Sequence, residues 1–273
     1  MVVDHSKKAG DILGREVLPE QEYQCQKHGK FVGTPVKLEF LDRVLDPRCP
    51  KCEEEERELQ STAEMENLER EKQRQRDQWL TGLNIGKRYW NTSFETFDAY
   101  TDELKHHLQI CVDFAYNHNG RKLVMLGNNG TGKNHLAASI LKITGGVIHT
   151  VYEIELMLHQ SYSGETQEWR VLSHLCETKL LVIDEIGRTK GTDWELNWLS
   201  HVINKRHENL MPLVLISNNH LKEDCPHGEA GCPFCIQNYV GNDILSRITE
   251  DGLIMEFTGD DYRYKKRTGG KEQ

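Results

Sequence analysis

Apolar and polar positions divide the chain into three stretches of different texture. From residue 121 to 219 short apolar runs alternate with segments of helical periodicity. "RKLVMLG" (121–127) predicts a buried strand, followed by a helix from Lys133 and a strand over "GGVIHTVYEI" (145–154). A helical stretch to about Leu175 precedes a strand in "KLLVIDEIG" (179–187); then come a helix across "DWELNWLSHVINKRHENL" and a strand in "PLVLISNN" (212–219). Near-continuous apolar strands alternating with helices predict an α/β fold with a mainly parallel sheet between helices. Upstream, residues 53–80 are charged, free of Gly and Pro and rich in helix formers, which predicts a long solvated helix. Its sparse apolar positions, among them Leu59, Met65, Leu68 and Trp79, would serve as a connector or a partner-docking face. Residues 1–52 show neither pattern and are punctuated by Pro and Gly. The boundaries expected are therefore 1–52, 53–80 and 81–273.

Composition adds limits rather than a class. At 273 residues the chain has room for one main domain plus a smaller piece. It contains no apolar run of membrane-spanning length, and the start "MVVDHSKKAGDILGREV" lacks the apolar core of a secretory signal, so a cytoplasmic protein is expected. A formal charge of -9 does not advertise nucleic-acid binding, although "YRYKKRTGGK" interleaves Tyr262 and Tyr264 with cations that would suit a strand or simply a solvated tail.

The chemistry concentrates at the ends of the predicted strands. In "GNNGTGKNHL" (127–136), Gly127, Gly130 and Gly132 let backbone N–H groups curl toward phosphates at a helix N-terminus, and Lys133 supplies a point charge. Asn134 replaces the serine or threonine that usually meets magnesium; its amide oxygen could take that place, and Thr131 could also face the phosphates. "LLVIDEIG" ends a buried strand in two carboxylates, placing Asp184 at magnesium and Glu185 at the attacking water. Asn218, or failing it Asn219, would sense the γ-phosphate; Arg247 in "NDILSRITEDG" lies on a short helix capped by Asn242 or Asp243.

Eight cysteines in a reducing compartment read as metal ligands and core residues. Cys25, His28, Cys49 and Cys52 form two ligand pairs about twenty residues apart, the spacing of a tetrahedral zinc site. A second cluster, "CPHGEAGCPFC" (225–235), offers Cys232 and Cys235 at knuckle spacing, with Cys225 or His227 to complete a second zinc site. Cys111 and Cys176 fall singly in apolar helical patterns and are expected in the core.

Together these motifs resemble those of AAA+ ATPases, and more narrowly of the DnaC-type loaders of replicative helicases. "GNNGTGKNHLAASI" is similar to that family's phosphate loop, including the asparagine after the lysine and the following His135, so residues 127–135, Asn128 and Asn129 among them, are implied to hold ATP. "NTSFETF" resembles the opening of the family's ATPase domain, "LLVIDEIG" its magnesium strand, "ILSRI" its arginine-finger helix with Arg247, and "DDYRYKKR" its closing sensor segment with Arg263. The resemblance covers residues 90–268 and implies a minimal lid, ATP and magnesium as cofactors, weak stimulated hydrolysis, and assembly into a ring or spiral. It also implies a hexameric replicative helicase and single-stranded DNA as partners, with the N-terminal zinc module and its helix engaging the helicase. Tyr162 and Trp169 lie where a strand-contacting helix is expected. Two other readings remain: an IstB-like transposition helper acting on duplex DNA, and a nucleotide-gated adaptor without useful hydrolysis.

Overall fold

The computed structural model describes residues 15–38, 43–162, 167–189, 191–221, 225, 232, 234–250 and 252–262. The chain divides into two compact units, residues 1–75 and 76–273.

The first unit is built from short strands and most of one helix. Strand β1 (Arg15–Val17) is followed by β2 (Gln21–Cys25) and β3 (Gly29–Gly33), which form an antiparallel hairpin. Strands β4 (Val36–Leu38) and β5 (Arg43–Leu45) join β1 in a second small sheet, ordered β1-β4-β5. Val17, Val32, Val44 and Leu45 are exposed, and neither of the protein's apolar clusters draws a described residue from this unit. Strands of three to five residues without an apolar core need another source of stability. Helix α1 (Pro50–Gly82) is longer than the predicted 53–80, and Leu59, Met65 and Leu68 on it are exposed.

The second unit holds a five-stranded, wholly parallel sheet. After α2 (Asp102–Asn117), capped by Thr101, come β6 (Lys122–Gly127), α3 (Lys133–Thr144), β7 (Val147–Thr150) and α4 (Val151–Tyr162). The remaining elements are α5 (Glu168–Glu177), β8 (Leu181–Ile186), α6 (Asp193–Glu208), β9 (Leu213–Ser217), α7 (Ile236–Glu250) and β10 (Gly252–Phe257). Their order across the sheet is β10-β6-β9-β8-β7. Side chains alternate between two cores: Val124, Leu126, Ile183 and Leu215 face one cluster, while Leu123, Met125, Val182 and Ile216 face the other. Both faces are covered, which is why these strands read as unbroken apolar runs. Cys111 and Cys176 are buried in these clusters.

The strands differ from the expected ones in two places. The run "GGVIHTVYEI" is strand only to Thr150, because a reciprocal cap starts α4 there: Thr150 Oγ1 accepts from the Glu153 N–H at 3.1 Å, and Glu153 Oε2 accepts from the Thr150 N–H at 2.8 Å. The cap overrides the β propensity of Val151, Tyr152 and Ile154. Strand β10, in "GLIMEF", pairs with β6 at the sheet edge and was not anticipated. The fully buried Arg206 fixes the approach to β8, donating to the carbonyls of Leu175, Cys176, Thr178 and Pro212 at 2.5–3.2 Å. Burial pulls its pKa down to about 10, yet these acceptors compensate the charge.

Candidate nucleotide site and metal centres

The loop between β6 and α3 has the backbone a phosphate cradle requires. Gly130 has φ +76°, and a Cβ there would strike the Asp261 carboxylate; Gly132 has φ +101°, and its Cβ would lie 2.6 Å from the Phe97 ring. Neither position admits a side chain. Lys133 is buried and donates to the carbonyls of Gly127 (2.7 Å) and Asn128 (2.6 Å), and burial lowers its pKa to about 8. The ammonium is thus folded back onto the loop that would present it to phosphates.

Asn134 and Asp184 meet directly. The Asn134 side-chain N–H donates to Asp184 Oδ2 at 2.6 Å, and Asp184 Oδ1 accepts from the Glu185 N–H at 2.7 Å. A carboxylate only accepts, so the amide must turn its nitrogen to Asp184, keeping Oδ1 as an oxygen donor for a cation. Burial raises the Asp184 pKa despite these bonds. The pairing of β8 with β9 shifts register between Ile183 and Ile186, and within that bulge Glu185 takes φ +63°, a conformation costly for a residue with a side chain. Glu185 also pairs with Arg188. A cleft of about 430 Å³ opens beside this pair, lined by Asn84, Tyr89, Trp90, Asn134 and Asp184.

At the end of β9, Asn218 is exposed and Asn219 is buried. The Asn219 carbonyl accepts from the Gly127 N–H at 3.2 Å, and its side-chain Nδ2, packed beside Gly187, has no hydrogen-bond partner among the described residues. Of the two asparagines singled out in the sequence, Asn219 is the one that reaches the loop. The loop is flanked by the segment around Phe97 and by the chain after β10: the Tyr262 N–H donates to the Gly130 carbonyl at 3.0 Å, and the Tyr262 hydroxyl donates to Asp98 at 3.0 Å. His135 Nε2 donates to the Ser93 carbonyl at 2.8 Å, and the ring meets Phe97 edge-on. Arg247 is exposed on α7, whose buried residues face the core opposite that of α3. The helix kinks at Gly241 (φ +78°), so Asn242 and Asp243 start its second half. Trp169 is exposed beneath Arg170, whose guanidinium lies 5.5 Å from the ring centroid. Arg263, Tyr264, the basic residues after it, and the Tyr162 side chain lie outside the described residues.

In the first unit Cys25, His28, Cys49 and Cys52 converge, their ligand atoms all within 4.8 Å of one another. His28 Nδ1 lies 3.9, 3.7 and 3.3 Å from the three sulfurs, and Cys25 Sγ lies 3.6 Å from Cys52 Sγ. Tetrahedral zinc implies S···S near about 3.8 Å and S···N near about 3.5 Å from its bond lengths. Backbone N–H groups of His28 and Lys27 lower the Cys25 thiol to about 6. Glu55 on α1, which sequence spacing did not single out, meets His28 Nε2 at 3.1 Å and so orients the ring with Nδ1 toward the sulfurs. Its signal was its place one turn after Cys52. In the second unit Cys225, Cys232 and Cys235 meet His220, a residue the spacing of the cysteine cluster did not reveal. His227 lies outside the described residues. Both groups could hold zinc.

A family model for IstB-like ATP binding proteins matches residues 35–270. The chain belongs to this family. Among curated relatives, the uncharacterized protein YdaV of Escherichia coli (strain K12) is 30% identical over 174 residues, 62% of this chain and 59% of YdaV, so the match spans less than two thirds of that protein. The replicative helicase loader DnaC of the same organism is 26% identical over 191 residues, 67% of this chain and 72% of DnaC. DnaC of Buchnera aphidicola subsp. Schizaphis graminum is 27% identical over 209 residues, 72% and 80% of the two chains. The crystal structure of a DnaC helicase loader superposes with a TM-score of 0.55 at 22% identity, covering 63% of this chain and 100% of the other. AMPPCP-bound DnaA from Aquifex aeolicus superposes at 0.52 and 15% identity, covering 69% and 58%. The fold is that of AAA+ ATPases. Among the described residues, no helix is long and apolar enough to cross a membrane.

Proposed function

We propose that this chain is an ATP-driven loader that binds a hexameric replicative helicase and places it on single-stranded DNA in the cytoplasm. The observation that carries this reading is the similarity to DnaC, which runs over 67% of the chain and includes its phosphate loop. The triphosphate of ATP would lie on the N–H groups of residues 127–133, with Lys133 released from its carbonyls to the β and γ phosphates. Asp184 and the Asn134 amide oxygen are hard donors that fit magnesium, which when bound neutralises phosphate charge. Glu185 would orient the attacking water, and Asn219, with its unpartnered amide, or the neighbouring Asn218 would sense the γ-phosphate. The exposed Arg247 suits a finger reaching the site of an adjacent copy in a ring or spiral, and Arg263 the closing sensor. Three thiolates and an imidazole fit zinc in the first unit, which we assign with α1 to helicase binding.

The test is to mix the chain with the candidate hexameric helicase, with and without ATP, and to read complex mass and helicase transfer onto circular single-stranded DNA. A defined complex that raises loading and requires Lys133 supports the reading. A second reading is an IstB-like helper of transposition, in keeping with the match to IstB-like ATP binding proteins. ATP-dependent filaments on duplex DNA with no helicase complex would establish that reading instead. ATP binding without any stimulated turnover would indicate a nucleotide-gated adaptor.

A further inference from the structure

The cysteine cluster between β9 and α7 takes no part in the nucleotide chemistry above, yet it is assembled in detail. Cys232 and Cys235 are buried, and all three cysteines of the group are free thiols. The His220 Nε2 atom lies 3.7 Å from Cys232 Sγ and 3.5 Å from Cys235 Sγ, and with Cys225 the four ligand atoms fall within 4.8 Å of one another. Those separations match the about 3.5 Å between nitrogen and sulfur that bond lengths give around tetrahedral zinc. The backbone holds the ligands in place. His220 and Cys235 form a parallel bridge, with the His220 N–H donating to the Phe234 carbonyl at 3.0 Å and the Ile236 N–H donating to the His220 carbonyl at 3.0 Å. The two buried cysteines are also linked directly, with the Cys235 N–H donating to the Cys232 carbonyl at 3.3 Å and Asn238 Nδ2 to the same oxygen at 2.8 Å. A cysteine that is only core looks different: Cys111 packs among Phe114, Leu123 and other apolar residues, with burial alone raising its thiol.

We propose that His220, Cys225, Cys232 and Cys235 bind one zinc ion that clamps the end of β9 to the start of α7. The ion joins two parts of the nucleotide machinery. On one side His220 follows Asn219, whose carbonyl holds the Gly127 N–H. On the other, Cys235 precedes the first residue of α7, whose first half is tied by Tyr239 to Glu195 and, at 2.9 Å, to Thr189 in the turn after β8. Beyond the Gly241 kink the same helix carries Arg247. Eighteen residues separate β9 from α7, and a metal crosslink across such a length of chain removes entropic freedom that the helix would otherwise keep. The donor set of three thiolates and one imidazole selects zinc over harder cations, and four ligand atoms this close together enclose one ion rather than a multi-iron cluster.

The experiment is metal analysis of the purified full-length chain, without nucleotide, DNA or helicase, so that its failure leaves the loader reading untouched. About two zinc ions per chain are expected for the wild type, with about one left in Cys49→Ser/Cys52→Ser. In that background His220→Ala is expected to weaken retention against a competing chelator by at least about tenfold, and His227→Ala to leave it unchanged. A cobalt-substituted sample of the same background is expected to show thiolate charge transfer and tetrahedral ligand-field bands. If the cysteine variants fail to fold, stepwise thiol titration of the wild type with an organomercurial serves instead, and release of about two ions upholds the proposal. No zinc left in a folded Cys49→Ser/Cys52→Ser chain, iron with acid-labile sulfide in its place, or loss of zinc with His227→Ala rather than His220→Ala overturns it.

Discussion

Asn134 donates its side-chain amide to Asp184 across 2.6 Å, linking the first turn of α3 to the end of β8. The asparagine makes the link to the strand carboxylate that a loop hydroxyl would make, and retains an oxygen for a cation. Its presence therefore preserves the site's architecture rather than breaking it. Asn134→Ala is expected to weaken magnesium-ATP binding by about tenfold to a hundredfold, the worth of a hydrogen bond to a charged group. Affinity for ATP in EDTA should change little, because the backbone cradle is untouched. Fluorescent-nucleotide titrations with and without magnesium check this; equal losses in both conditions would show that Asn134 acts on the loop itself.

Lys133 is held below its ordinary range by burial, at about 8. Between about pH 8 and the unfolded value near 10.5 the folded chain binds fewer protons than the unfolded one, so stability of the nucleotide-free protein rises with pH across that window. Below about pH 8 the full cost of the buried charge is present. Lys133→Met is expected to stabilise the nucleotide-free chain by about 1–3 kcal/mol at pH 7 and to flatten the alkaline rise, while abolishing ATP binding. Urea unfolding at a series of pH values measures both effects.

Glu185 occupies a bulge with φ +63°. Glu185→Gln keeps the size and hydrogen-bonding reach but removes the base, so ATP binding should persist while stimulated turnover falls by about 10²–10⁴-fold. Single-turnover hydrolysis with bound nucleotide measured in parallel distinguishes this from a folding defect.

Arg247 is exposed, as a residue acting on another copy must be. Arg247→Ala and Lys133→Ala should each lose turnover, by about 10³-fold or more for the arginine. A mixture of the two should regain a measurable fraction, because some interfaces then pair an intact loop with an intact arginine. Strictly additive, near-zero rates in the mixture would assign Arg247 a role within its own subunit.

The first unit has no described residue in either apolar cluster, and zinc on Cys25, His28, Cys49 and Cys52 would be the staple that its short strands need. Stripping zinc should expose residues 15–45 to proteolysis and abolish helicase binding, while ATP affinity stays within about twofold of the holoprotein. Limited proteolysis with nucleotide titration on the same sample tests this. Glu55→Gln should lower zinc affinity by about tenfold through the loss of its bond to His28.

The sequence by itself determined what depends on local spacing. The phosphate loop with its glycines, the strand ending in Asp184 and Glu185, the alternation of apolar strands with helices, and the two close ligand pairs Cys25/His28 and Cys49/Cys52 are written at short range, because residue periodicity, turn geometry and ligand reach fix the separations such features need. Only the tertiary structure decided matters that rest on how separate segments meet. It stops the 145–154 run as a strand at Thr150, through a cap that competes with β propensity. It buries Asn219 and exposes Asn218, because the β8–β9 pairing sets which side chain ends facing Gly187. It brings His220 to the second cysteine group, through a bridge to Cys235 formed across fifteen positions. His220 lies just past β9 and outside the cysteine run, so its place among the ligands follows from that bridge and not from the spacing of the cysteines.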